Sequence, residues 1–160
     1  MSTGDAEMIT EIEKREIEAE IKKAPTKKAA VIDVLKVVQK HRRWIPDEAL
    51  EEAADMLGMT PAEVDSIATF FSLIYRRPVG KHVILVCDSV SCWLVGYEDV
   101  KQHLMEMLGI SLGETTKDGR FTLLPSACLG VCEEAPAMMI DDDLYTHLTP
   151  SLVDEILQKY

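Results

Sequence analysis

Four cysteines are the residues of this sequence with the clearest capacity for chemistry. They form two pairs, Cys87 with Cys92 and Cys128 with Cys132, with four and three residues between the members of a pair and 35 residues between the pairs. A thiolate is a nucleophile, a redox group and a ligand for soft metals. Four convergent thiolates suit a tetrahedral zinc ion or an iron–sulfur cluster. The two pairs therefore predict one metal or redox centre built from two segments of the chain.

The spacing within each pair bears on the kind of centre. Structural zinc loops commonly place two residues between cysteines, and both gaps here are wider. Wider loops favour a larger object, such as a [2Fe–2S] unit in which each pair binds one iron. No C-x-x-C motif is present, so the dithiol chemistry of thioredoxins lacks its motif. Zinc, a disulfide and unrelated buried thiols stay open as alternatives, since cysteine is often a small buried hydrophobe.

The composition indicates the environment of such a centre. The 160 residues are 47% hydrophobic with 8 glycines and 7 prolines, which excludes a disordered or fibrous chain. The apolar runs are far shorter than the roughly 18 residues of a membrane span. The acidic, helical start of the chain has no basic region followed by an apolar core, as a secretory signal would. We therefore expect a cytoplasmic protein without membrane insertion, in which metal or redox cysteines are more common than structural disulfides.

The charge is strongly acidic and unevenly distributed. The net charge is −11, and nucleic acids and anionic membrane surfaces attract the opposite sign, so we expect neither as a partner. Residues 1–79 carry a net charge of −3, whereas residues 80–160 carry −8 and all four cysteines. Pro78 and Gly80 lie between these halves and are typical of a linker. We predict two domains, 1–79 and 80–160.

The first half has helical periodicity throughout. Apolar residues at helical spacing predict helices over 8–23, 28–41 and 47–57, with Gly58 closing the third. The segment Thr60-Pro61-Ala62-Glu63 predicts a capping box at the start of a fourth helix. The residues expected to face inward from that helix are Val64, Ile67, Ala68 and Phe71. We interpret this half as a small helical bundle.

The second half alternates strands and helices. The predicted strands and helices are His82–Cys87, 97–108, Phe121–Leu124, Ala137–Ile140 paired with Leu144–Thr146, and a last helix from Thr149. This order, with its long first crossover, predicts that the first two strands are parallel, as in a thioredoxin-like α/β sandwich. Each cysteine pair follows one of these strands, so both pairs should reach the same edge of the sheet. Gly96 and Gly130 should ease the curl of the two loops.

Several segments of the chain resemble a known family. They are CDSVSC (87–92), GETTKDGRF (113–121) and CLGVCEEAP (128–136), together with WIP (44–46) and ATFFS (68–72) in the helical half. These segments are similar to the family of the smaller flavoprotein-fraction subunit of bacterial NADH-quinone oxidoreductase, respiratory complex I. The resemblance covers the chain from about residue 25. Trp93 after the second cysteine and Ser126-Ala127 before the third are its less usual residues.

This resemblance implies a fold and a cofactor. The second domain is expected to be a thioredoxin-like [2Fe–2S] ferredoxin domain, which together with the helical bundle gives an α+β or α/β chain. The cluster ligands that the resemblance implies are Cys87, Cys92, Cys128 and Cys132. One [2Fe–2S] cluster per chain is then the expected cofactor.

The resemblance also implies a role and partners. The chain is expected to exchange single electrons with the FMN of the FMN- and NADH-binding subunit, next to the large iron–sulfur subunit, in a complex peripheral to the inner membrane. No G-x-G-x-x-G motif or P-loop is present, so FMN and NADH should bind only to the partner, and NADH dehydrogenase activity should reside in the complex. Residues 1–79 are expected to be a docking module or a stabilising bundle. The alternatives are the equivalent subunit of an NAD-linked hydrogenase or formate dehydrogenase, and a zinc-stapled interaction module.

The residues around the cysteines should influence the potential of a cluster. Asp88, Glu133 and Glu134 lie beside three of the four cysteines, and their negative charge should disfavour an added electron. Backbone N–H groups near Gly130 should act in the opposite direction. We expect a low-potential centre. An exposed, solvated charged loop is the simpler interpretation of Glu133 and Glu134.

Overall fold

The structure, a computed structural model, describes residues 8–160. The expectation that the acidic start is helical lies, for the first seven residues, outside the described part. The chain divides into two compact units, the first ending at Pro78 and the second comprising Val79–Tyr160. Each unit has its own buried apolar core. Within residues 8–160, no helix is both long and apolar enough to cross a membrane.

Four helices form the first unit. They are α1 (Glu11–Lys23), α2 (Val31–Arg42), α3 (Asp47–Leu57) and α4 (Pro61–Phe70), with a 3₁₀ turn at Lys27–Ala30 before α2. Their apolar stripes meet in one core, whose fully buried large side chains are Ile17, Val34, Leu35, Ile45 and Leu57. The helices predicted from the sequence are confirmed, with boundaries that differ by a few residues.

The ends of α3 and α4 follow from local chemistry. Gly58 ends α3 with a left-handed φ of +66°, and the predicted capping box begins α4. In that box the Glu63 N–H donates to Thr60 Oγ1 at 3.2 Å, and the Thr60 N–H donates to Glu63 Oε2 at 2.8 Å. The prediction that Phe71 faces inward is wrong. The chain leaves the helix at this residue with extended backbone angles, so its ring no longer follows the apolar stripe and is 44% exposed.

A buried ion pair joins α1 to α2. The Glu13 carboxylate is only 1% exposed and accepts from Arg42 Nε at 2.7 Å and from Arg42 Nη2 at 2.9 Å. It also accepts from the Thr10 N–H at 2.7 Å, in a capping box that the sequence analysis did not identify. Burial alone raises the pKa of Glu13, but the bonds from Arg42 and Thr10 outweigh it and lower the pKa to about 2.

We expect Glu13→Gln to lower the free energy of unfolding by about 3 kcal/mol near neutral pH, because the buried Arg42 loses its counter-charge. In the unmodified protein, this carboxylate has a lower pKa when folded than its ordinary value of 4.5. Its contribution is therefore complete above that value and is lost as the pH falls toward about 2. Denaturant unfolding from pH 2 to pH 7 measures both effects. Glu18→Gln, an exposed change on α1, is the control, and equal losses from the two variants would contradict this assignment.

A four-stranded sheet organises the second unit. The strands are β1 (His82–Cys87), β2 (Phe121–Ser126), β3 (Met138–Ile140) and β4 (Asp143–Tyr145), in the order β2-β1-β3-β4. The first two are parallel, with His82 opposite Phe121 and Cys87 opposite Ser126, whereas β3 is antiparallel to both β1 and β4. The predicted parallel pair and the predicted hairpin are confirmed.

Three helices accompany this sheet: α5 (Val90–Leu94), α6 (Tyr97–Leu108) and α7 (Pro150–Leu157). Helices α6 and α7 contact each other and pack with Ile84 and Val86 of β1 in the core of the unit. Both were predicted, whereas α5 was not. A mixed sheet combined with helices makes the chain α+β, as expected for a thioredoxin-like ferredoxin fold.

Candidate metal centre

The two parallel strands carry the cysteine pairs to one edge of the sheet. Cys87 is the last residue of β1 and lies opposite Ser126, the last residue of β2. Cys128 follows two residues later, and Cys132 begins a 3₁₀ turn that ends at Glu134. Cys92 lies in α5 rather than in a loop, because the chain forms one short helical turn after β1. The parallel pairing thus places both pairs where a shared centre requires them.

Contacts between the two segments bring the pairs together. Helix α5, which contains Cys92, touches the 3₁₀ turn that begins at Cys132. The Leu129 N–H, from the second segment, donates to the sulfur of Cys87 in the first. The Ser91 side chain, from the first segment, is hydrogen-bonded to Cys132 in the second. The thiols therefore belong to one site, and all four cysteines are free rather than disulfide-bonded.

The sulfur geometry within the pairs fits metal ligation. A metal–thiolate bond of about 2.3 Å with a tetrahedral angle separates two sulfurs on one metal by about 3.8 Å. Cys128 Sγ and Cys132 Sγ are 3.7 Å apart, and the thiols of Cys87 and Cys92 are hydrogen-bonded to each other. Among residues 8–160, no three His, Cys, Asp or Glu side chains are placed to hold one metal ion, which a cluster with two thiolates on each metal does not require.

The environment of the thiols differs from one sulfur to the next. Burial opposes ionisation of Cys87, but hydrogen bonds from the hydroxyl and N–H of Ser89 and from Leu129 outweigh it, so the pKa of Cys87 lies below its usual value. Burial, together with the neighbouring Cys87, raises the pKa of Cys92. The hydrogen bond with Cys128 raises the pKa of Cys132. Binding of a metal must therefore displace protons from the site, most readily from Cys87.

The two pairs also differ in their exposure. Cys87 and Cys92 are 3% and 1% exposed, whereas Cys128 and Cys132 are exposed to solvent. The centre is therefore closed by the protein on one side and open on the other.

Glycine shapes the exposed loop. Gly130 has a φ of +83°, and its N–H donates to Cys128 Sγ at 3.3 Å. Gly96, after α5, has a φ of +117°. Both are left-handed conformations that favour glycine, as predicted for loops that curl around a centre. The carboxylates of Asp88, Glu133 and Glu134 are exposed, and their effect on a potential stays a prediction.

An exposed apolar surface next to the site was missed in the sequence analysis. The side chains of Val90, Trp93, Leu94 and Val95 are 55–70% exposed, and we call these four residues the α5 surface. They flank Cys92, which is buried. The indication in the sequence was the apolar run around this cysteine, which is too short for a periodicity that separates a buried face from an exposed one.

Comparisons with known proteins identify the family. The profile of the thioredoxin-like [2Fe–2S] ferredoxin family matches residues 17–160. The chain belongs to this family. The NADH-quinone oxidoreductase subunit designated E of Escherichia coli K12 is 49% identical over 148 residues, which are 92% of this chain and 89% of that protein. Its namesake from Pseudomonas aeruginosa PAO1 is 46% identical over 156 residues, 98% of this chain and 94% of that one.

A solved structure agrees with the fold. A chain of an NAD⁺-reducing [NiFe]-hydrogenase in the air-oxidised state superposes with a TM-score of 0.67 at 25% identity. The match covers 78% of this chain but only 22% of that chain. The resemblance described from the sequence is thereby confirmed, and membership of the family implies a [2Fe–2S] cluster.

We expect Gly130→Ala to reduce the iron that the reconstituted protein retains, because a left-handed φ disfavours alanine by about 1 kcal/mol and moves the N–H away from Cys128. Gly109→Ala is a matched control, since Gly109 ends α6 with a φ of +65° and neither position has an atom within 4 Å of an added Cβ. Both variants should lose a similar amount of stability on thermal unfolding, and only Gly130→Ala should lose iron. Equal iron contents would show that the loop does not depend on this conformation.

Proposed function

We propose that this chain is the electron-transfer subunit of an NADH-quinone oxidoreductase and holds one [2Fe–2S] cluster through its four cysteines, Cys87, Cys92, Cys128 and Cys132. The observation that carries the proposal is the meeting of two thiol pairs at one strand edge, with one pair at the 3.7 Å separation of two ligands on one metal. When bound, such a cluster accepts and returns one electron at a time.

The surrounding residues hold and modulate this site. The buried pair, Cys87 and Cys92, anchors it to β1 and α5 and keeps water from that side. Backbone N–H groups of Leu129, Gly130 and Ala137 donate to three of the sulfurs, where they stabilise negative charge. The exposed pair marks the side that an electron donor or acceptor approaches.

The partner we propose is the FMN- and NADH-binding subunit of the complex, with the large iron–sulfur subunit adjacent. The relatives are named as subunits of an NADH-oxidising complex, and this chain contains no nucleotide-binding motif of its own. The α5 surface lies beside Cys92, and contiguous exposed apolar side chains mark protein interfaces. In this assembly the chain is cytoplasmic and peripheral to the inner membrane, and the helical unit, residues 1–79, is a docking module.

A second candidate function follows from the hydrogenase resemblance. In this alternative the chain is the corresponding subunit of an NAD-linked hydrogenase, and the same cluster serves a different complex. The 49% identity with the Escherichia coli NADH-quinone oxidoreductase subunit over nearly the whole chain, against 25% with the hydrogenase chain, favours the first candidate. Identifying the proteins that purify together with the chain separates the two.

The purified protein, assembled in cells that make iron–sulfur clusters, should contain about two irons and two sulfides per chain. Its EPR signal should arise only after reduction with dithionite. Cys128→Ser and Cys132→Ser should lose this signal or change its shape, because each removes a proposed ligand. Cys87→Ser and Cys92→Ser should do the same. A colourless protein with one zinc would overturn the electron-transfer role and leave an interaction module.

We expect Trp93→Glu to weaken binding to the FMN-containing partner about 30-fold, because a charge replaces the largest side chain of the α5 surface and buried aromatic anchors typically contribute about 2 kcal/mol. Met107→Glu is the control, since Met107 is an exposed apolar residue of the same unit on α6. Titration of the labelled chain with the partner gives both dissociation constants, and the EPR signal verifies that the cluster is intact. Similar losses in both variants would contradict the assignment of the interface to the α5 surface.

A further inference from the structure

The hydroxyl of Ser89 lies against the first cluster cysteine. Ser89 Oγ is 3.4 Å from Cys87 Sγ, within hydrogen-bonding distance for sulfur. Ser89 is half-buried, and Cys87 is buried at the end of β1. The contact is therefore partly shielded from water, which strengthens any electrostatic effect it has on the sulfur.

The position of Ser89 in the chain makes this orientation informative. Ser89 is the N-cap residue of α5, where a serine hydroxyl usually accepts a hydrogen bond from a backbone N–H of the first turn. In this structure the Ser89 side chain makes no such capping bond. The hydroxyl is turned instead toward Cys87. Local helix capping therefore does not account for a serine at this position, whereas the contact with sulfur does.

The direction of the hydrogen bond follows from the chemistry of a ligand. A thiol is able to donate to Ser89 Oγ, but a metal-bound thiolate has no proton and is only an acceptor. Once Cys87 is a ligand, the hydroxyl must be the donor. A donor aimed at a ligand sulfur stabilises the negative charge that reduction adds, and the potential of an iron–sulfur centre responds to such bonds.

We propose that Ser89 is a positioning residue whose hydroxyl donates to Cys87 Sγ and raises the reduction potential of the cluster. This inference rests on the proposed function, because it requires Cys87 to be a ligand. Asp88, the residue between the two, is exposed and acts in the opposite direction through its negative charge. The backbone donors described above act on the same sulfurs but are independent of side-chain identity, so Ser89 is the contribution that a substitution removes alone.

The test is a redox titration of the cluster-loaded full chain, followed by EPR and accompanied by iron and sulfide assays. Ser89→Ala should shift the midpoint potential to a more negative value while iron and sulfide stay unchanged. Ser89→Thr keeps a hydroxyl and should restore most of the shift. Ser111→Ala, at an exposed serine of the same unit, should leave the potential unchanged.

Ser89→Gly provides a second form of the test, since glycine is tolerated at an N-cap and also removes the hydroxyl. An unchanged potential in loaded Ala and Gly variants would overturn the inference and leave the proposed function intact. Loss of the cluster in both would also overturn it, because Ser89 would then act in assembly rather than on the potential. A wild-type chain that binds no cluster would instead refute the proposed function.

Discussion

The parallel pairing of β1 with β2 is the constraint on which the site depends. Two segments separated by 35 residues reach one place only because both strands run in the same direction and end at the same edge, with Cys87 opposite Ser126. Antiparallel strands would put the cysteine pairs at opposite ends of the sheet. The crossover through α6 makes the parallel arrangement possible, and the packing of α6 and α7 on the sheet stabilises it.

The unequal exposure of the two pairs follows from this arrangement. Cys87 completes a central strand, so the chain around it is covered by the core, and Cys92 returns into that core through α5. Cys128 and Cys132 lie beyond the end of an edge strand, where the loop has nothing to pack under. A one-electron carrier needs both features, since a rigid, dry side limits reorganisation of the site and an open side allows a partner to come within transfer distance.

The sequence predicted the elements that have long periodicities, and it failed at the short ones. The helices of the first unit, the parallel pair and the hairpin were all inferred from repeated apolar spacing and turn residues. Helix α5 has five residues, too few for a helical stripe to be recognised, and its neighbours decide which side chains are covered. Phe71 continues the stripe of α4 in sequence but not in space, because the backbone becomes extended there. The bond from Leu129 to Cys87 joins segments distant in sequence, which no local pattern encodes.

The ligand loops combine two opposing electrostatic influences, and their distances indicate how each acts. The donors of Gly130 and Ser89 lie 3.3 and 3.4 Å from sulfur, in direct contact. The carboxylates of Glu133 and Glu134 are exposed, so water and salt weaken their effect over a Debye length of about 8 Å. A contact donor also keeps its orientation when the electron arrives, whereas a solvated carboxylate moves with its solvent. The conformation of the loops, rather than the net charge of −11, is therefore the feature through which this fold most directly controls the affinity of its centre for an electron.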